Sequence, residues 1–207
     1  MKTMNLQENK PLDLHFFQRE DVLKIAEELI GKKISTHFNG QKAEAIIVET
    51  EAYNGVQDKA CHAFGGKRTP RNEVMYKAGG VAYIYLCYGI HHLFNFVTST
   101  ENDPKAVLLR GVMPIGAMEL VLERRKKSKF NAKIGIGPGA ASQVLGFHSR
   151  QSGMSLVRTP ELLITESAFN YQQLSIREFP RIGVDYAGED AKLPYRFVWD
   201  DFQSRIS

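Results

Sequence analysis

Apolar and polar positions along this chain follow two periods. Residues 19–30 place Val22, Ile25, Ala26, Leu29 and Ile30 on one helical stripe, and Gly31 stands where such a helix would stop. Residues 34–38 and 43–53 read as β-branched strands joined by Asn39-Gly40, a strong two-residue hairpin signal. In the second strand, alternation puts Ile47, Glu49, Glu51 and Tyr53 on one face and Ile46, Val48, Thr50 and Ala52 on the other. Two carboxylates then share a face with an aromatic ring at the end of an apolar strand. A strand end is a rigid place to hold charge at the floor of a cleft. An edge strand with a solvated face accounts for the same alternation equally well.

Residues 55–72 carry neither period, and a loop that long in a compact domain is usually functional or disordered. It holds Cys61-His62, Gly65-Gly66 and the basic stretch Lys67-Arg68-Thr69-Pro70-Arg71-Asn72. Residues 81–86 form a strand with Tyr83 and Tyr85 on one face and Ile84 and Leu86 on the other, followed by a turn at Tyr88-Gly89. A returning strand over 92–99 carries Asn95, and another over 106–112 includes Leu108-Leu109-Arg110. Pro114 predicts the start of a helix reaching residue 127, with a basic end from Arg124. Gly137-Pro138-Gly139 precedes a short helix over 140–145, and residues 156–164 and 196–199 read as strands. This irregular mixture, without internal repeat or linker, predicts one α+β domain over 12–207, behind a loose polar leader over 1–11.

Composition changes this picture little. A chain of 207 residues can bury a substantial core, and two cysteines do not make a disulfide framework. The N-terminus lacks an apolar signal region, so a cytoplasmic protein is expected. The net charge of +4 is compatible with a nucleic-acid surface without requiring one.

An ordered set of short motifs is more specific. Val48-Glu49-Thr50-Glu51-Ala52-Tyr53, His62, Thr69-Pro70-Arg71-Asn72, Tyr83-Ile84-Tyr85, Tyr88-Gly89, Asn95, Leu108-Leu109-Arg110, Gly137-Pro138-Gly139 and Arg181-Ile182-Gly183-Val184 follow one another in this chain. In that order and spacing, from about residue 16 to 197, the chain resembles the alkyladenine (3-methyladenine) DNA glycosylases, in a bacterial form. The resemblance implies a single α+β domain with a mixed, largely antiparallel curved sheet flanked by helices, and a protruding β-hairpin. It also implies flipping of alkylated or deaminated purines such as 3-methyladenine and hypoxanthine from double-stranded DNA, and hydrolysis of their N-glycosidic bond.

Residue by residue, the resemblance makes Glu51 the general base and Arg110 a holder of the nucleophilic water, with the backbone carbonyl near Val184 as its second support. Tyr53, His62 and Tyr85 would hold the base, and Asn95 would crowd the 2-amino group of guanine. Tyr88 would fill the gap left in the duplex, although Ile90-His91-His92 replaces the Met and aromatics of the vertebrate pattern and implies a less apolar wedge. Lys67, Arg68, Thr69 and Arg71 would approach the DNA backbone. Glu49 is expected to be structural, paired with a basic group.

Three rivals carry weight. Cys61, His62, Cys87, His91 and His92 could be metal ligands, but their spacing forms no paired C-x-x-C or H-E-x-x-H set. No metal and no cofactor are expected. A lesion-binding protein without activity could share the fold, and a strand-cleaving lyase would need an amine nucleophile that no lysine of the motifs supplies. The expected partner is duplex DNA containing damaged purines, near the nucleoid, with the protein a monomer and no membrane involved.

Overall fold

The computed structural model describes residues 10–157, 159–166, 174–200 and 202. Expectations for residues 1–9 of the leader lie outside them. Pro11 already bridges Thr165.

Two aspartates set the first helices. Asp13 accepts the Phe16 N–H to cap α1 (Leu14–Phe17), and Asp21 accepts that of Lys24 to cap α2 (Val22–Glu28). Gly31, at φ 82°, turns the chain out of the helix stripe. Strands β1 (Lys33–Phe38) and β2 (Gln41–Tyr53) follow around Asn39-Gly40, whose φ values of 53° and 75° suit a two-residue hairpin. Strands β3 (Ala82–Cys87), β4 (His91–Thr98) and β5 (Lys105–Ile115) come next. Helices α3 (Met118–Arg125) and α4 (Pro138–Leu145) follow, then β6 (Leu162–Thr165), β7 (Ile176–Phe179) and β8 (Arg196–Trp199).

The strands form one open, curved sheet in the order β3-β4-β5-β2-β1-β6, and β8 joins β2 to β7. The recorded pairings among the described residues are antiparallel. One face carries the main core, where Ile25, Ile47, Ala52, Phe94, Leu109 and Val144 are buried together. Thr50 Oγ1 donates to the Ala26 carbonyl at 2.8 Å, tying β2 to α2. The opposite face is free to build a cleft. None of the helices among the described residues is long and apolar enough to cross a membrane.

The element expectations fail in five places, each for a local reason. Ile47 does not share a face with Glu49 and Glu51. The pairing steps from Ile47↔Val112 to Glu49↔Gly111, so Val48 is an extra residue that reverses the alternation. Pro114 does not open a helix but pairs with Ala45 inside β5. That strand has no β4 neighbour beyond Leu108, so the missing N–H is tolerated. Strand β6 is shorter than 156–164 because Pro160 precedes it and Ser155 bonds locally to Val157. Helix α1 and strand β7, four residues each, have too little length for a period to show.

Candidate active site

Two adjacent bulges shape the floor of the cleft. Beyond Val48, the pairing steps from Glu49↔Gly111 to Thr50↔Leu109, which makes Arg110 the extra residue on β5. A bulge re-aims side chains. Here it leaves Glu49, Glu51 and Arg110 together on the side away from the main core. It also coincides with the point where β2 exchanges β1 for β8 as its neighbour. Gly111 faces Glu49 so closely that an added Cβ would lie 2.9 Å from the glutamate's own, so only glycine fits there.

Glu51 is fully buried at the floor of a cleft of about 710 Å³. Its Oε1 accepts the Ile182 N–H at 2.9 Å, and Oε2 accepts the Tyr53 hydroxyl at 3.0 Å. Arg110 Nε lies 3.4 Å from Glu51 Oε1 but is hydrogen-bonded at 2.9 Å to Glu49, which Arg196 also holds at 3.0 Å. The expected basic partner of Glu49 is therefore double, and Arg110 is shared between the two carboxylates. Burial pushes the Glu51 carboxyl above its ordinary value. Arg110, the Ile182 N–H and the Tyr53 hydroxyl oppose that shift, and Glu49 adds to it. An ionised carboxylate offers about four acceptor positions. These contacts leave capacity for a water molecule.

Aromatic groups form the walls. His62 Nδ1 lies 3.0 Å from the Tyr83 hydroxyl, and its ring meets Tyr85 edge-on at 4.8 Å. Burial, then Arg71 and Lys67, lower the His62 pKa, which keeps the imidazole neutral. Asn72 fixes this wall, donating to the His62 carbonyl at 3.0 Å and to that of Lys67 at 2.8 Å. Asn95 is buried, and its amide nitrogen donates to the Tyr83 and Leu93 carbonyls at 3.1 and 3.3 Å, which sets its orientation. Val184 is buried against Ala60 and Ala187, and its carbonyl accepts the Ala187 N–H at 2.8 Å. A carbonyl has a second lone pair for another donor.

The cleft thus gathers Glu51, Tyr53, His62, Tyr85, Asn95, Arg110 and Val184, with Arg71 and Tyr88 at its margin. The basic loop is divided. Arg71 is turned inward, 4.9 Å over the Tyr85 ring. Arg68 is bound to Glu73 and Asn102 and lies over Tyr76. Lys67 and Thr69 line a neighbouring cavity.

Tyr88 is 93% exposed at the tip of the β3–β4 hairpin. It has φ 50°, ahead of Gly89 at 72°, and Ile90 N–H closes the turn on the Cys87 carbonyl at 3.1 Å. A left-handed conformation for a non-glycine residue costs about 1–3 kcal/mol and concentrates at functional sites. The two histidines that follow anchor the hairpin. His91 packs against Gly139, where an added Cβ would come within 2.8 Å of its ring, and the His92 ring lies against that of His148 with centroids 3.8 Å apart and planes tilted by 39°. The exposed side chains of the turn are Tyr88 and Ile90. Among the described residues no group of three or more metal-ligating side chains is clustered, and both cysteines are free thiols.

Sequence reasoning gave no role to Asp58, Asn72 or Tyr186, and placed Arg181 in a motif without a task. Arg181 is buried and joined to Asp58 at 2.5 and 2.8 Å. It donates to the Ala52 carbonyl and holds the segment that presents Ile182 to Glu51. A buried arginine leaves no local signature in a sequence, because its partner lies far along the chain.

Residues 15–203 match the sequence family described as "Methylpurine-DNA glycosylase (MPG)". Among similar proteins, one from Chlamydia abortus is 44% identical over 184 residues, covering 88% of this chain and 95% of that protein. One from Desulfitobacterium hafniense is 39% identical over 201 residues, covering 94% and 97%. One from Bdellovibrio bacteriovorus is 39% identical over 186 residues, covering 89% and 93%. Each bears the name "Putative 3-methyladenine DNA glycosylase".

Proposed function

Since the chain belongs to the methylpurine-DNA glycosylase family, we propose that it is a monofunctional 3-methyladenine DNA glycosylase. It takes damaged purines out of duplex DNA into the cleft and hydrolyses the N-glycosidic bond. The observation that carries this reading is Glu51, buried below aromatic walls and held by Ile182 and Tyr53 with Arg110 in reach.

In the reaction, ionised Glu51 takes a proton from water as the water oxygen bonds to C1′. The C1′–N bond breaks, its electron pair leaves with the purine, and an abasic site remains. Glu51 also stabilises the positive charge that develops on the sugar. Arg110 and the Val184 carbonyl orient the water. Tyr53, Tyr85 and neutral His62 hold the base, and aromatic faces suit cationic purines such as 3-methyladenine and 7-methylguanine. None of the described residues lining the cleft is a lysine, which favours hydrolysis over lyase chemistry. The deciding experiment incubates the protein with duplexes carrying 3-methyladenine, 7-methylguanine or hypoxanthine and measures free base and abasic sites. Tight lesion binding without base release would replace this reading with that of a lesion-binding protein.

Two residues tune selection. The fixed amide of Asn95 leaves little room for a 2-amino group, so Asn95→Ser should raise release of guanine from mismatches relative to hypoxanthine. An unchanged ratio would assign Asn95 to packing alone. Tyr88 fills the vacated position in the duplex. Tyr88→Ser should weaken lesion-duplex binding by ~1–3 kcal/mol, the scale of a lost base stack. The effect should shrink on single-stranded DNA, where there is no gap to fill. Slower excision with an unaltered flipping equilibrium, read by a fluorescent base analogue, would move Tyr88 from the duplex into the base pocket.

A further inference from the structure

Tyr186 is the second strongly exposed tyrosine at the cleft, with 71% of its surface open, yet it is not loose. Its hydroxyl donates to the Ala60 carbonyl at 3.1 Å. The 3-10 segment that carries it, Asp185–Lys192, is pinned at several points. Asp190 accepts the Lys59 N–H at 2.8 Å and, through its carbonyl, Arg181 at 3.1 Å, while Ala187 is buried. A ring held stiffly in solvent has already lost the freedom that binding would otherwise cost.

Its position gives the ring an occupant. Tyr186 borders both the base cleft and a neighbouring cavity of about 520 Å³, and His62 and Tyr83 also line both spaces. The second cavity is bordered by exposed Lys59 and Lys67. A stacking platform beside cations is the chemistry that holds a nucleotide by its base face and its phosphate. A nucleotide lying in the cleft is covalently joined to a neighbour on each side, and one neighbour must pass this margin.

Building on the glycosylase reading, we propose that Tyr186 is a second DNA-stacking residue, which holds the nucleotide adjoining the flipped one, with Lys59 and Lys67 at its phosphate. Tyr88 fills the gap in the duplex, and Tyr186 supports the strand that leaves it.

The test uses the full chain and duplexes with a tetrahydrofuran abasic-site analogue, carrying 2-aminopurine on its 5′ or its 3′ side. Parent protein should change the fluorescence on one side, and Tyr186→Ala should abolish that change while raising Kd about tenfold. Tyr186→Phe, which keeps the ring and loses the Ala60 bond, should retain the signal and stay within about threefold of the parent Kd. Parental Kd and signal in Tyr186→Ala would overturn the proposal, as would equal losses in Tyr186→Phe and Tyr186→Ala, since the hydroxyl tether alone would then matter. The base-release assay on parent protein separates the two readings. If parent releases damaged bases and Tyr186→Ala is unaltered, only the stacking role fails. If parent neither releases bases nor binds these duplexes, the glycosylase reading fails and the stacking role falls with it.

Discussion

Glu51→Gln should lower single-turnover excision by about 100- to 10,000-fold, the range of a lost general base. It should also raise thermal stability at neutral and alkaline pH. Glutamine keeps the shape of the side chain and an acceptor for the Ile182 N–H, so lesion duplexes should still bind. The stability gain follows from the direction of the Glu51 shift. Burial raises its carboxyl pKa in the fold above the ordinary 4.5. The folded protein therefore holds this proton to higher pH than the unfolded chain. Its stabilising effect is complete below the unfolded value and is lost as pH rises through the folded one. Above that window, ionised Glu51 weakens the fold, and glutamine removes the penalty. Arg110 remains satisfied by Glu49 in the variant. The melting temperature of Glu51→Gln should exceed that of the parent at about pH 8 and converge with it at about pH 4. Parent excision should fall as the pH drops through the raised value, since protonated Glu51 cannot accept the proton of water. Comparable excision rates would remove Glu51 as the base, and an equal or lower melting temperature at the alkaline end would contradict the cost of burial.

The faces of the strands were legible wherever the backbone keeps its period. Tyr83 and Tyr85 leave the main core for the cleft while Ile84 enters it, as alternation requires. At Val48 and Arg110 the period breaks, and no residue type in β2 or β5 announces a bulge except Gly111, whose need for close approach emerges only against Glu49. The same break separates Ile47 from the carboxylates and brings Arg110 to both of them. Charge was a poorer guide than pattern. Arg68 and Arg71 are equally basic in sequence, but one is bound to Glu73 and the other covers Tyr85. Pairing of this kind is decided by which side chains the fold brings near, and composition carries no trace of it.

Asp58→Ala should destabilise the protein by about 3–5 kcal/mol, the cost of leaving a buried charge without its partner. Asp58 and Arg181 are each 5% exposed and joined by two hydrogen bonds. The guanidinium lies between Tyr53 and Tyr195, 4.9 and 5.1 Å from their ring centres, where water cannot readily replace the carboxylate. Asp58 also accepts the N–H groups of Asn54 and Ala60, so its removal strips acceptors from the chain that leads to His62. On the other side, Arg181 secures the backbone that gives Ile182 to Glu51. One ion pair therefore ties the chain leading to His62 to the segment that meets Glu51. Denaturant unfolding with linear extrapolation measures the loss. A change below about 1 kcal/mol would place the pair in the class of exposed salt bridges. Replacing both partners, as in Asp58→Leu with Arg181→Met, should restore much of the stability, because apolar groups of similar size can substitute for a buried pair. Excision should remain low in that double variant, because nothing then holds Ile182 against Glu51. Recovery of both stability and excision would show that packing alone sets the geometry of the site.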